Sequence, residues 1–314
     1  MGIGTLLKEM FIPTKENAIE ENKYYQIRQD PFFLDKSLHQ HFLKYGWCVV
    51  PQVVEQTEID SFMATFHEIS KLDGFELDKH LLNSGRLFNP EIRKKTQQVI
   101  NENAKTILPR MFEMAKTDEH TGGAYQVKPC HENSDLQIHQ DSAVIDEEKD
   151  YCLFVWIPFC DVNEENGPIW VLSGSHLWGN TQRSLGVPWN FLKHITTLRK
   201  FMHPVTVSKG DVIVFDPALI HCSTPNFSKE IRHAITITVL RKDYELVYYF
   251  KNKNIEADKI EKYVVDENFY FSYDFISKPD ENIWKKEVLD YKPFDISESE
   301  LIRLIKKYLP KDKG

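Results

Sequence analysis

The stretch Gly210-Asp211-Val212-Ile213-Val214-Phe215-Asp216-Pro217-Ala218-Leu219-Ile220-His221 reads as strand, turn and second strand. Val212 to Phe215 are four uninterrupted apolar strand formers, as expected where both faces are covered. Asp216-Pro217 turns the chain, and a short strand follows that carries His221. Ser223 lies two residues on and so shares the His221 face. Thr224 to Ile231 turn through Pro225-Asn226. The next strand, Arg232 to Leu240, opens with an arginine on the face of Ala234, Thr236 and Thr238. A hairpin centred near Asn226-Phe227 is expected to set Arg232 opposite His221.

Upstream, His139-Gln140-Asp141 places a histidine and a carboxylate two residues apart. On a strand both point to one side and reach one ion. With His221 they make two histidines and a carboxylate, a set that leaves open positions on a metal and suits non-haem Fe(II). A His-x-acid pair is weak by itself: 12 His and 47 acidic residues in 314 supply about two by chance. Its weight comes from the strand of His221 and from Arg232. A guanidinium grips a carboxylate through two parallel hydrogen bonds. A small dicarboxylate could therefore touch the metal at one end and Arg232 with Ser223 at the other.

On these residues the chain resembles the phytanoyl-CoA dioxygenase family, which includes ectoine hydroxylases. His139, Asp141, His221, Ser223 and Arg232 match the family pattern. So does Asn166-Gly167-Pro168-Ile169-Trp170-Val171-Leu172-Ser173-Gly174-Ser175-His176, and Phe42 to Pro51 resembles its opening helix and strand. Lys128-Pro129 also fits, with Gln126 where members often place a polar side chain near the cosubstrate. The resemblance spans roughly residues 35–241. It departs at Ile138, where many members have Trp, a change expected to alter pocket lining. It implies a double-stranded β-helix (jelly-roll, cupin-like) core. It also implies Fe(II) on His139, Asp141 and His221, and 2-oxoglutarate held by Arg232 and Ser223, with Gln126 near its chelating end. The implied reaction consumes O2, releases succinate and CO2, and hydroxylates an unactivated C–H of a small molecule. Asp141 argues against halogenation, since related halogenases have a small residue there; desaturation and ring formation stay open.

Composition narrows the partners. Net charge is −8 and the pI about 5.9, against general nucleic-acid binding. No window approaches 18 apolar residues, so no membrane span is expected. Met1 to Leu7 lacks a leader pattern. Five scattered cysteines without C-x-x-C suit a reducing cytoplasm.

Along the chain, residues 1–34 read as an irregular arm and 35–241 as the jelly-roll domain with N-terminal helices. Residues 242–314 read as a helical extension packed on it. Helices are expected over Ser37 to Tyr45 (capped by Gly46), from Thr57 onward with Ile59, Phe62, Met63, Phe66 and Ile69 on one face, over Pro90 to Met114 with a break at Pro109, and over Ser297 to Leu309. Strands are expected over Trp47 to Val50, Ala124 to Lys128, Leu136 to Asp141, Tyr151 to Phe159, Ile169 to Leu172, Val205 to Val207, Val212 to Phe215 and Ala234 to Leu240. Helices first and many short strands after give a mainly β fold with packed helices.

His131 is read as a loop residue, His176 as a brace, His233 as packed against the helices, and Trp156 as core or pocket wall. From Gly167 to Lys209 there is no Asp or Glu, while Arg183, Lys193, Arg199, Lys200 and Lys209 are present. A basic lid there would favour an anionic substrate; a solvated loop is the plain alternative. Two rival readings are a jelly-roll metalloenzyme without 2-oxoglutarate, which Arg232 and Ser223 argue against, and a silent ligand-binding relative, which the full ligand set argues against. Oligomeric state is left open.

Overall fold

A computed structural model describes residues 30–87, 89–117, 122–272 and 277–309. The expected arm over 1–29 lies outside them. Within 30–34, Phe32 and Phe33 belong to the core: both are buried, and Glu113 N–H donates to the Phe32 carbonyl at 2.9 Å.

Helix α1 (Lys36–Tyr45) starts where Asp35 accepts from the Ser37 and Leu38 amides and stops at Gly46 with φ 78°. Strand β1 (Trp47–Val50) follows. Helix α2 (Gln56–Ile69) begins before Thr57, because Glu55 and Glu58 form the capping box. Its Ile59, Phe62, Phe66 and Ile69 are buried as their spacing predicts. A two-residue β2 (Leu82–Asn83) leads to α3 (Pro90–Ile107), which tightens into a 3₁₀ turn at Leu108–Arg110 around Pro109 and goes no further.

The strands β3 (Gly123–Lys128), β4 (Leu136–His139), β5 (Cys152–Pro158), β6 (Ile169–Val171), β7 (His203–Val205), β8 (Val212–Phe215), β9 (His221–Ser223) and β10 (Arg232–Leu240) build two antiparallel sheets. One has the order β1-β8-β5-β10-β3-β2 and the other β4-β9-β6-β7. From β3 to β10 the chain alternates between sheets, with only β6 and β7 consecutive in one. That wiring is the double-stranded β-helix. Alternation sorts the side chains. On β5, Val155 and Ile157 pack against the helices while Trp156 joins Ile213, Phe215 and Ala234 between the sheets.

Three expectations change. First, β9 and β10 are not hairpin partners: β9 pairs with β4 and β6, β10 with β3 and β5. The connecting loop crosses from one sheet to the other around buried Asn226, which donates to the Lys128 and Glu230 carbonyls at 3.1 and 2.8 Å. Second, residues 242–314 are not simply helical. Strands β11 (Val247–Phe250), β12 (Lys259–Val264) and β13 (Lys285–Asp290) form a third antiparallel sheet. Its signal was Val247-Tyr248-Tyr249-Phe250, a β-branched and aromatic run. Beyond the short helices α4 (Ile195–Arg199) and α5 (Glu267–Ser272), α6 (Glu298–Tyr308) carries the expected Ser297–Glu300 capping box. Its Leu301, Ile305 and Tyr308 pack with Leu172, Trp178 and Ile220. Gly174, at φ +80°, makes room: a Cβ there would stand 2.5 Å from Tyr308 Cβ. Third, Ile138 does not line the pocket. It sits one residue from His139, so it faces away into the same cluster as Leu172 and Trp178.

Candidate metal centre

His139 closes β4 directly opposite His221 on β9, and their rings stand 4.3 Å apart. Asp141 lies just past the strand end, where its backbone N–H donates to the Pro217 carbonyl at 2.9 Å. Gln140 ties the same turn down by donating to the Ala218 carbonyl at 2.6 Å. The Asp141 carboxylate then stands 3.5 Å from Nε2 of each histidine. All three ligand atoms lie within 4.8 Å of one another, the only such cluster of three among the described residues.

The donor set fits a divalent cation. Each histidine turns Nδ1 to a backbone carbonyl, Gln137 at 2.8 Å and Leu219 at 2.9 Å. A carbonyl only accepts, so Nδ1 carries the proton and Nε2 offers its lone pair. Burial and then His139 push the His221 imidazole down to about 4, which keeps it neutral. At Asp141 burial favours the acid, but His221, His139 and Arg183 outweigh it and lower the pKa. At His139 burial opposes charge, and Asp141 overrides it to raise the pKa. Ligand atoms bonded to one ion at about 2.1 Å lie roughly 3 Å apart, so the observed spacing needs only small side-chain movement.

The triad opens into a cleft of about 780 Å³, within the size of small-molecule sites, whose lining includes Gln126, Ser223, Arg232 and Arg86. Arg232 is 2% exposed. One of its Nη groups donates to the Gly167 carbonyl, its guanidinium lies 5.1 Å from the Trp156 ring, and Nε has no partner. Trp156 itself is core: it is 1% exposed and packs with Ile213, Phe215 and Ala234. Gln126 donates to Thr236 Oγ1 at 2.8 Å. A second lobe of about 380 Å³ shares His139 and Asp141 and runs past Tyr244, Tyr248 and Tyr270.

Three other histidines singled out in the sequence stay out of the site. His131 accepts from the Asn133 amide at 3.0 Å, His176 bonds the Leu43 carbonyl at 3.2 Å, and His233 packs on Phe66 at 4.7 Å. Among the described residues, two of the five cations of the segment 167–209 are ion-paired. Arg183 is locked to Glu147 by two bonds of 2.7 Å and donates to the Asp141 carbonyl at 3.0 Å; Lys193 pairs with Asp295. Arg86, which sequence reasoning missed, lines both lobes and has no ion pair among the described residues. Lys128 stood in the sequence only as part of a motif; its chemistry became visible with its neighbours.

A jelly roll with two histidines and a carboxylate at the mouth of its barrel defines a mononuclear metal-site protein. The phytanoyl-CoA dioxygenase (PhyH) family model matches residues 42–234, and the chain belongs to that family. Phytanoyl-CoA dioxygenase domain-containing protein 1 homolog of Dictyostelium discoideum is 31% identical over 123 residues, covering 36% of this chain and 43% of that protein. Phytanoyl-CoA dioxygenase 1 of Oryza sativa subsp. japonica is 29% identical over 106 residues, covering 32% and 37%. The matched stretches thus span about two fifths of these curated relatives' length. Among solved structures, EvdO2 from Micromonospora carbonacea var. aurantiaca complexed with 2-oxoglutarate is similar at TM-score 0.48 and 15% identity, covering 66% of this chain and 91% of that one. No helix among the described residues is long and apolar enough to cross a membrane.

Proposed function

We propose that the protein is an Fe(II)/2-oxoglutarate-dependent dioxygenase that hydroxylates an unactivated C–H bond of a small, anionic molecule. The observation that carries this is the distribution of unused groups in one cleft. Two free Nε2 lone pairs and a carboxylate converge at one end, and a buried guanidinium with an unpartnered Nε waits at the other. Family membership agrees with it. His139, Asp141 and His221 would hold the metal; Arg232 and Ser223 would hold the far carboxylate of 2-oxoglutarate. Gln126, already engaged by Thr236, would offer its amide oxygen near the chelating end. Bound iron with 2-oxoglutarate and O2 supplies an oxidant strong enough for C–H bonds and yields succinate and CO2. The chain's part is to orient the partners, to keep His221 neutral and Asp141 ionised, and to wall the cleft from water.

The prime substrate would enter the lobe of Tyr244, Tyr248 and Tyr270, with Arg86 meeting its negative end. Arg86 stands on the cleft wall, whereas Arg183 of the segment 167–209 is already paired with Glu147. Five free cysteines suit a reducing compartment such as the cytoplasm.

The test is anaerobic Fe(II) titration with 2-oxoglutarate in wild type and Arg232→Ala, followed by the visible charge-transfer band. A band in wild type that needs far more 2-oxoglutarate in the variant supports the reading. Bound iron with no band would move the protein to a metalloenzyme that does not use 2-oxoglutarate.

A further inference from the structure

We infer that Lys128 is a positioning residue of the carboxylate seat: it orients the Ser223 hydroxyl and places a second positive charge behind it. This rests on the 2-oxoglutarate reading above. Lys128 ends β3 and is fully buried. An ammonium has three protons to give, and here all three are assigned. They go to the Ser134 carbonyl at 2.7 Å, the Thr224 carbonyl at 2.7 Å and Ser223 Oγ at 2.8 Å. Ser223 Oγ, having accepted from Lys128, must donate its own proton elsewhere. No acceptor for it stands among the described residues, and Ser223 lines the cleft. The ammonium therefore turns the hydroxyl into a donor aimed at whatever the cleft holds.

Charge makes the same demand. Lys128 and Arg232 face each other across neighbouring strands, both buried, and no carboxylate ion-pairs with either among the described residues. Two buried cations without a counter-charge are costly, and an anion seated on Ser223 and Arg232 offsets that cost. Lys128 does not line the cleft, so it acts through Ser223. A lysine that only braced the loops would serve the Ser134 and Thr224 carbonyls and have no bearing on the ligand's charge.

Calorimetry on the full chain loaded with Mn(II) separates these roles, using 2-oxoglutarate against pyruvate. Pyruvate keeps the 2-oxo acid end and lacks the far carboxylate. Lys128→Gln retains an amide donor for the carbonyls and removes the charge; Lys128→Met removes both, and thermal unfolding checks each fold. We expect either variant that folds to bind 2-oxoglutarate at least about tenfold more weakly, the scale of one charge-assisted hydrogen bond, with pyruvate affinity unchanged. Combining Lys128→Gln with Ser223→Ala should cost less than the two separate losses together. Wild-type affinity for 2-oxoglutarate in the variants, or equal losses for both ligands, overturns the assignment. Wild type that binds neither ligand, or binds both alike, instead sinks the cosubstrate reading itself.

Discussion

Lys128 stands directly opposite Arg232 in the β3–β10 register, and both side chains are almost wholly excluded from solvent. Burial and then Arg232 draw the Lys128 ammonium down to about 6, while Asp135 and the Cys222 thiol act the other way. An anion bound nearby raises it again, so binding takes up a proton. Affinity for 2-oxoglutarate should be constant below pH about 6. It should then weaken by up to about tenfold per pH unit as pH rises, and level off above the bound-state value. Calorimetry from pH 5.5 to 8.5 (roughly the range where the charge can change) would read it. A flat profile in wild type that matches Lys128→Gln means this group does not titrate with binding.

Arg183 and Glu147 form a bidentate, nearly buried pair behind Asp141. Glu147→Ala should lower stability by about 3–5 kcal/mol in urea unfolding, because it strands a buried cation. The double replacement Glu147→Met with Arg183→Met should recover much of that loss. Equal loss in the single and double variants would contradict this account of the pair.

Asp141→Ala removes the only anionic ligand of the triad. Fe(II) affinity, read as metal retained after dialysis over a range of free Fe(II), should fall by more than the roughly 100-fold that marks loss of an outer-shell partner, and turnover should vanish. Full metal occupancy in the variant would rule out the proposed ligand set.

Arg86→Ala should raise KM for the prime substrate about tenfold or more, the weight of a charged hydrogen bond, and leave the KM for 2-oxoglutarate unchanged. A shift in the 2-oxoglutarate KM instead would assign Arg86 to the cosubstrate.

Leu301 on α6 is fully buried against residues of the jelly roll. We propose that residues 242–314 unfold together with 35–241. Leu301→Ala should then lower the stability of a single transition by about 2–5 kcal/mol. Two separate transitions, with only one displaced, would show the extension to be an independent unit.

The sequence by itself determined the ligand types, the strands that carry them and the faces they share. His139, Asp141 and His221 come together as their alternation requires, and β1, β8 and β10 run between the residues expected. These are local matters: two-residue alternation and turn chemistry need no knowledge of distant partners. Where the chain passes from one sheet to the other, local pattern ran out. It could not tell that β9 and β10 part company, that Ile138 faces the α6 side, or that the run at 247–250 pairs into a third sheet. Only the tertiary structure decided which charges survive. Arg183 is spent on Glu147, while Lys128 and Arg232 are brought together without a carboxylate. Pairing energies depend on burial and on groups far apart in the chain, and a run of residues along one strand carries no record of either.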